Sequence, residues 1–404
     1  MFKLAVILAC ALVLLTGCNT ASGPLAKPVQ ALPEWGAFPT NERPVQVVVT
    51  NPPPMAPPPT IALPPPNEVV IVPVPPKTNP PPPIAPEATW LSLDRWAKAH
   101  GLETLRHTAL AGGPGFALPT GSGVLTLRPG SLAAGWDGLE FRLGFPPRLI
   151  EGQFYVHALD LRKNIAPLLH AGTPRVITNK VIVLDPGHGG QDPGTHINGN
   201  GRYEKTFTLD WALRTAKLLE AKGWRVFLTR TNDADVPLAA RVAFAEVHHA
   251  DLFLSLHFNS SGTNSHDRGG LETYCLTPTG MPSSLTRGYE DKSTQTFPNN
   301  AFDEQNFLLA LQMHRTLLKA TGGLDRGVRR ARFLGVLQGQ NRPAVLVEGG
   351  YLSNVAEARR IGEPAFRQKM AEAVAEALGK TAVTEIQVSS PRLATPTLVN
   401  ANGH

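Results

Sequence analysis

Cysteine is scarce: the 404 residues carry three, Cys10, Cys18 and Cys275, too few and too scattered for a disulfide framework. Charged residues make up 17% of the chain, and the net charge of +6 is not gathered into a block of one sign. That excludes a dedicated nucleic-acid surface and leaves at most a weak attraction to anionic polymers. No apolar run is long enough to span a bilayer; the longest, Leu4 to Leu15, has the length of a signal-peptide core.

Proline is abundant and unevenly spread. The stretch from Pro24 to Pro86 holds 22 of the 39 prolines, with runs at 52–54, 57–59 and 80–83. Proline lacks the N–H that helices and sheets need, so residues 18–87 read as an extended spacer of polyproline II type. Ahead of it, Lys3, the apolar core and Leu15-Thr-Gly-Cys18 stand in the order of a secretory signal and a lipidation site. This resembles the bacterial lipoprotein signal, which implies removal of residues 1–17 and acyl chains on Cys18. Asn19 in place of aspartate points to the outer rather than the inner membrane of a bacterial envelope, with the chain facing the periplasm. Residues 381–404 read as a disordered tail.

Two folded regions are expected. Residues 88–172 read as a small α+β domain: Leu93, Trp96, Ala97 and His100 keep helical spacing after a capping Ser92. Alternating runs follow at 124–127, 139–143 and 153–156. The run from Leu125 to Val156 resembles the small domain named after the N-terminus of copper amine oxidases, which suggests wall binding or positioning and implies no copper. His100, His107, His157 and His170 show no ligand spacing.

Residues 178–380 read as an α/β domain with a mixed, mostly parallel central sheet flanked by helices. Val181 to Leu184 is a buried strand broken by Asp185-Pro-Gly187, which delivers His188 at its carboxyl end, where open α/β sheets collect their chemistry. Asp251 to Leu256 is a second such strand and delivers His257; Ala344 to Val347 ends on Glu348. Arg225–Thr229, Gly269–Tyr274 and Leu334–Leu337 complete the expected strands. The expected helices are one capped by Thr206, with Leu209, Leu213, Ala216, Leu218 and Leu219 inward, then 238–248, with Ala239, Val242, Ala243 and Val247 inward, 305–321 and 363–378. Glu204 falls just before a helix start, where a carboxylate is ordinarily a rim residue favoured by the helix dipole.

Two histidines and a glutamate leave a fourth position open on zinc, which is the arrangement of a catalytic rather than a structural site. Glu348 suits the further carboxylate that moves the proton. No His-Glu-x-x-His helix is present, which excludes the common helix-borne metalloprotease site.

Several motifs then converge: Leu184-Asp-Pro-Gly-His-Gly-Gly190 with Asp192-Pro-Gly194, Glu204-Lys205, Leu228-Thr-Arg230, Arg241, Ser255-Leu-His-Phe-Asn259, Arg326-Gly-Val328, and Pro343-Ala-Val-Leu-Val-Glu348 with Leu352-Ser-Asn354. Residues 180–379 resemble the zinc-dependent N-acetylmuramoyl-L-alanine amidases of cell-wall amidase family 3. The resemblance implies Zn2+ on His188, Glu204 and His257, with Glu348 as the catalytic carboxylate, and so overturns the rim reading of Glu204. It implies cleavage of the amide between the lactyl group of muramic acid and L-alanine of the stem peptide. Asn259, Asp192 and Arg230 become candidates for contact with substrate or for support of the ligands. The connection from Thr277 to Phe302 is long, and some family members insert a zinc-occluding helix there, which makes Glu290 and Glu304 candidate regulatory residues although the stretch has little helical period. The partners on this reading are peptidoglycan, a membrane through lipidated Cys18, and a protein activator. The alternatives are a zinc peptidase or deacetylase acting on another wall bond, and a wall-binding lipoprotein without activity.

Overall fold

The computed structural model describes residues 89–169, 179–197, 202–261 and 267–379, all within one compact unit, Asn79–His404. The signal segment, Cys18, the proline-rich stretch, the tail and His170 lie outside the described residues.

The first region runs β1 (Trp90–Ser92), α1 (Leu93–Ala99), β2 (Arg106–Leu110), β3 (Gly113–Thr120), β4 (Gly123–Leu127), β5 (Ala133–Trp136), β6 (Leu139–Arg142), β7 (Arg148–Ile150) and β8 (Gln153–His157). It closes with a helical segment in three turns: α2 (Ala158–Asp160), a π-helical turn at Leu161–Ile165, and α3 (Ala166–Leu168). Ser92 caps α1 as its sequence position requires, accepting from the backbone N–H of Arg95. The hairpin strands β2, β3, β5 and β7 escape the sequence reading because glycine, proline and exposed positions blur their alternation.

The second region runs β9 (Val181–Pro186), α4 (Glu204–Glu220), β10 (Arg225–Leu228), α5 (Leu238–Val247), β11 (Leu252–Asn259), β12 (Leu271–Cys275), a 3-10 turn at Pro298–Phe302, α6 (Asp303–Thr321), β13 (Asp325–Arg330), α7 (Gly335–Gln338), β14 (Ala344–Tyr351), α8 (Val355–Gly362) and α9 (Pro364–Gly379). Strands β10, β9, β11 and β14 lie parallel; β12 pairs antiparallel with β14 and parallel with β13. The expected mixed, mostly parallel sheet flanked by helices is the one observed.

Alternate residues of the central strands feed two cores. Ile182, Leu184, Leu254, Leu256, Val345 and Val347 belong to the cluster that includes residues of α4, α6 and α9, while Val181, Val183, Phe253, Ala344 and Leu346 join Ala245 of α5 and Val336 and Leu337 of α7. Burial on both faces explains why these strands read as unbroken apolar runs.

The two regions share one sheet. Strand β13 also pairs parallel with β6, so that eleven strands run in the order β10-β9-β11-β14-β12-β13-β6-β5-β4-β3-β2. Asp325 accepts the backbone N–H of Glu140 at 2.8 Å, and Arg330 donates to Asn164 Oδ1 at 2.7 Å, so polar contacts of β13 tie the regions together.

Three expectations need correction. Leu334–Leu337 is not a strand but the start of α7, because the run packs against α5; short apolar runs do not distinguish the two states. Helix α5 turns its face the other way: Ala239, Ala243 and Val247 are exposed, and Arg241 and Ala245 are buried. Helix α4 begins at Glu204 rather than after Thr206, so this carboxylate sits in its first turn and is buried, while Leu213 is exposed. Strand β13 was missed because four of its six residues are charged; their partners are ionic and polar rather than apolar.

Candidate functional site

The turn after β9 is built by buried polar groups. Asp185 accepts from Thr229 Oγ1 (2.6 Å) and an Arg241 guanidinium nitrogen (2.6 Å) on one oxygen, and from Ser255 Oγ (2.7 Å) on the other. One carboxylate thereby fixes the end of β9 against β11, α5 and the segment after β10. Arg230 is buried and donates to the carbonyls of Pro186 (3.0 Å), Gly187 (2.8 Å) and Lys205 (2.8 Å). Arg241 donates to the carbonyls of Pro186 (2.9 Å) and His188 (2.8 Å). These clamps hold His188 at φ +63°, a left-handed conformation that costs a non-glycine residue about 1–3 kcal/mol. Arg230 therefore shapes the loop from behind.

Gly187 is needed for space. A Cβ there would crowd three ring atoms of His257, the farthest of them, Nδ1, at 2.6 Å. Gly189 (φ +129°) instead faces the Ala234 carbonyl and the Arg230 side chain, and Gly190 (φ +58°) faces Asp235, so the Gly-Gly step accommodates the close approach of the segment around residues 230–235.

His188, Glu204 and His257 come together, with one ligand atom from each lying within 4.8 Å of the others. Glu204 Oε2 is 3.1 Å from His188 Nε2, and Oε1 is 3.1 Å from His257 Nδ1. Backbone N–H groups of Phe258 (2.9 Å) and Thr195 (3.0 Å) donate to the same carboxylate. Burial pushes Glu204 up, but the two imidazoles outweigh it and hold its carboxyl at about 2. Asp192 Oδ2 lies 2.7 Å from His188 Nδ1, which leaves Nε2 to face the cluster. Burial lowers His188, yet Glu204 and then Asp192 raise it to about 9.

Glu348 stands beside His257 in the register of β14 on β11, and opposite Glu272 of β12. It is buried, and its Oε2 has no hydrogen-bond partner among the described residues. Burial, followed by the charge of Glu204, raises its carboxyl to about 8. Asn259 donates to Glu272 Oε2 (2.8 Å) and accepts from Arg287 (3.0 Å), next to the site rather than in the cluster.

From the long connection, it is Arg287 that reaches the site, 3.9 Å from Glu348 Oε1. Glu290 is exposed and pairs with Lys292 at 3.3 Å, and Glu304 is exposed in the first turn of α6. No helix forms between Thr277 and Phe297; Asp291 instead takes the Ser283 N–H (2.7 Å) and pairs with Arg332, fastening the connection to the body. Arg287 had no sequence signal beyond its place in an unusually long connection.

The fold and site together define a mixed α/β domain that carries a His–Glu–His group able to hold a metal ion at the carboxyl edge of its parallel strands. The family model described as N-acetylmuramoyl-L-alanine amidase matches residues 182–380. The amidase AmiC of Neisseria meningitidis is 33% identical over 249 residues, covering 56% of this chain and 58% of its own length. The amidase AmiA of Escherichia coli is 33% identical over 218 residues, covering 49% of this chain and 74% of its own. The solved amidase AmiC2 of Nostoc punctiforme, 33% identical, covers 50% of this chain and 97% of its own, with a TM-score of 0.41. The chain belongs to the N-acetylmuramoyl-L-alanine amidase family. It spans little more than half the length of the Neisseria relative.

Proposed function

We propose that the protein is a zinc-dependent peptidoglycan amidase that hydrolyses the amide joining the muramic acid lactyl group to L-alanine of the stem peptide. The observation that carries this is the His188–Glu204–His257 group set beside a buried Glu348 whose Oε2 is unpartnered. Two imidazoles and one carboxylate suit zinc and leave it an open position. The identities of the curated relatives support the choice of bond.

His188, Glu204 and His257 would hold the ion, and bound zinc supplies Lewis acidity that makes water a nucleophile at neutral pH. Asp192 fixes the tautomer and ring plane of His188. The backbone donors of Thr195 and Phe258 orient Glu204. Glu348 takes a proton from the attacking water on Oε2 and passes it to the leaving amine, and its burial favours the protonated form that makes the second transfer.

The residue roles separate by substitution. Glu348→Ala is expected to keep zinc and lose turnover; His188→Ala is expected to lose both. Near-normal turnover in Glu348→Ala would remove it from the mechanism. The sequence at Cys18 supports a lipid anchor in the bacterial envelope, tested by mass spectrometry of the mature N-terminus: an unmodified or absent Cys18 would refute it. Among the described residues no helix is long and apolar enough to cross a membrane.

A further inference from the structure

Two cavities adjoin the site, one lined by His188 and His257 together with Asp192, Asp235 and Arg241, the other by Asn259 and Arg287. One, of about 220 Å³, is reached by Asp192, Asp235 and Leu238 beside His188 and His257. The other, of about 270 Å³, is lined by Asn259, Arg268, Glu272, Arg287, Arg329 and Tyr351, and Arg287 links it to Glu348 at 3.9 Å. The charge of Glu272 is already committed: Arg326 (2.8 Å), Asn259 (2.8 Å), Tyr274 (2.8 Å) and Tyr351 (3.0 Å) all donate to it. The cationic groups are less occupied. Arg268 is exposed and has no hydrogen-bond or ion-pair partner among the described residues. Arg287 gives one nitrogen to Asn259 and approaches Glu348 at 3.9 Å, while Arg329 uses only its Nε. Guanidinium forks with open donors favour a planar anion over any neutral group.

We propose that this basic cavity binds the stem-peptide side of the substrate, with a carboxylate of that peptide on Arg268 and Arg287, and that the glycan side lies toward Asp192 and Asp235. The proposal rests on the amidase reading and adds a direction and a charge requirement to it. Glu348, which serves the leaving amine, is the acid in contact range of Arg287. The peptide bearing that amine therefore leaves through the arginine-lined side. A carboxylate a residue or so beyond the amine falls within reach of side chains as long as arginine.

The test uses the zinc-loaded full chain and two synthetic muramoyl tripeptides, one with a free carboxylate on the second stem residue and one with that group as a carboxamide. The wild type is expected to favour the carboxylate by about tenfold through KM, with kcat alike for both, as for a charged hydrogen bond made equally in ground and transition states. Arg268→Gln and Arg287→Gln should each erode that preference, measured as the ratio of the two KM values within each variant, and Arg287→Lys should restore part of it. Equal KM values in the wild type, or a full preference in both glutamine variants, would overturn the proposal. If neither compound is hydrolysed, the amidase reading fails separately, and calorimetric binding of the two released tripeptides decides the cavity. Carboxylate-selective binding lost in Arg268→Gln upholds it, and equal binding refutes it.

Discussion

Gly187→Ala isolates the cost of one methyl group at the cluster. At Gly187 the added Cβ would lie 2.6 Å from His257 Nδ1 and closer still to two other ring atoms, whereas ordinary contact begins near 3.4 Å. The imidazole must retreat by on the order of 1 Å, the displacement that costs about 100-fold in rate when a reacting group is misplaced. It has little freedom to do so, being 3.1 Å from Glu204 Oε1 and edge-on to His188 at 4.9 Å between ring centroids. The crowded atoms all belong to the ring, so the damage should stay local: a Tm within a few degrees of wild type, zinc affinity weakened, and kcat/KM down by about two orders of magnitude. Gly189→Ala is the contrast. Its Cβ would meet the Ala234 carbonyl in a left-handed backbone, so strain should appear as about 1–3 kcal/mol of lost stability. Melting by circular dichroism, zinc by emission spectrometry and turnover on muramoyl peptides separate the two. Wild-type zinc content and rate in Gly187→Ala would refute the steric account.

Other outcomes follow from the same contacts. Asp185→Ala strands Arg241 and two hydroxyl donors in the core, and should cost about 3–5 kcal/mol in urea unfolding; a loss below 1 kcal/mol would contradict its place as a hub. Asp192→Ala removes the partner of His188 Nδ1 and should weaken zinc about 10–100-fold in chelator competition, with unchanged affinity as the contrary result. Burial raises the Asp325 carboxyl, but the His314 hydrogen bond and the N–H groups of Glu140 and Gly327 outweigh it and hold the group below its ordinary value. Its stabilisation is therefore complete above about pH 4 and lost as pH falls through the depressed value, so Asp325→Asn should flatten the acid limb of unfolding. An acid limb identical to wild type would count against that sign.

Much of the catalytic region was legible because its central strands are buried on both faces and end on chemistry: Val181–Leu184 leads to His188, Leu252–Leu256 to His257, and Ala344–Val347 to Glu348. What escaped was polar structure. Arg241 turns inward on α5 to hold the His188 turn, and no apolar periodicity can announce that. Strand β13 carries Asp325, Arg326, Arg329 and Arg330, whose partners on β12, β6 and the π-helical segment become visible only once the sheet is assembled. Glu204 illustrates the limit in the other direction: its position at a helix start alone suggests a solvent-facing dipole partner, only the family resemblance sets it with the two histidines, and the fold buries it between them. Arg287 reaches Glu348 from a connection with no regular period, so only the folded path of residues 277–297 reveals it.

The most direct measurement of the proposed activity is the product formed from purified sacculi. Digestion by the zinc-loaded protein should release stem peptides with free L-alanine amino termini and leave the glycan strands intact, and the Glu348→Ala protein should release none. Shortened glycan strands, or terminal D-alanine as the sole product, would contradict the assignment of the scissile bond.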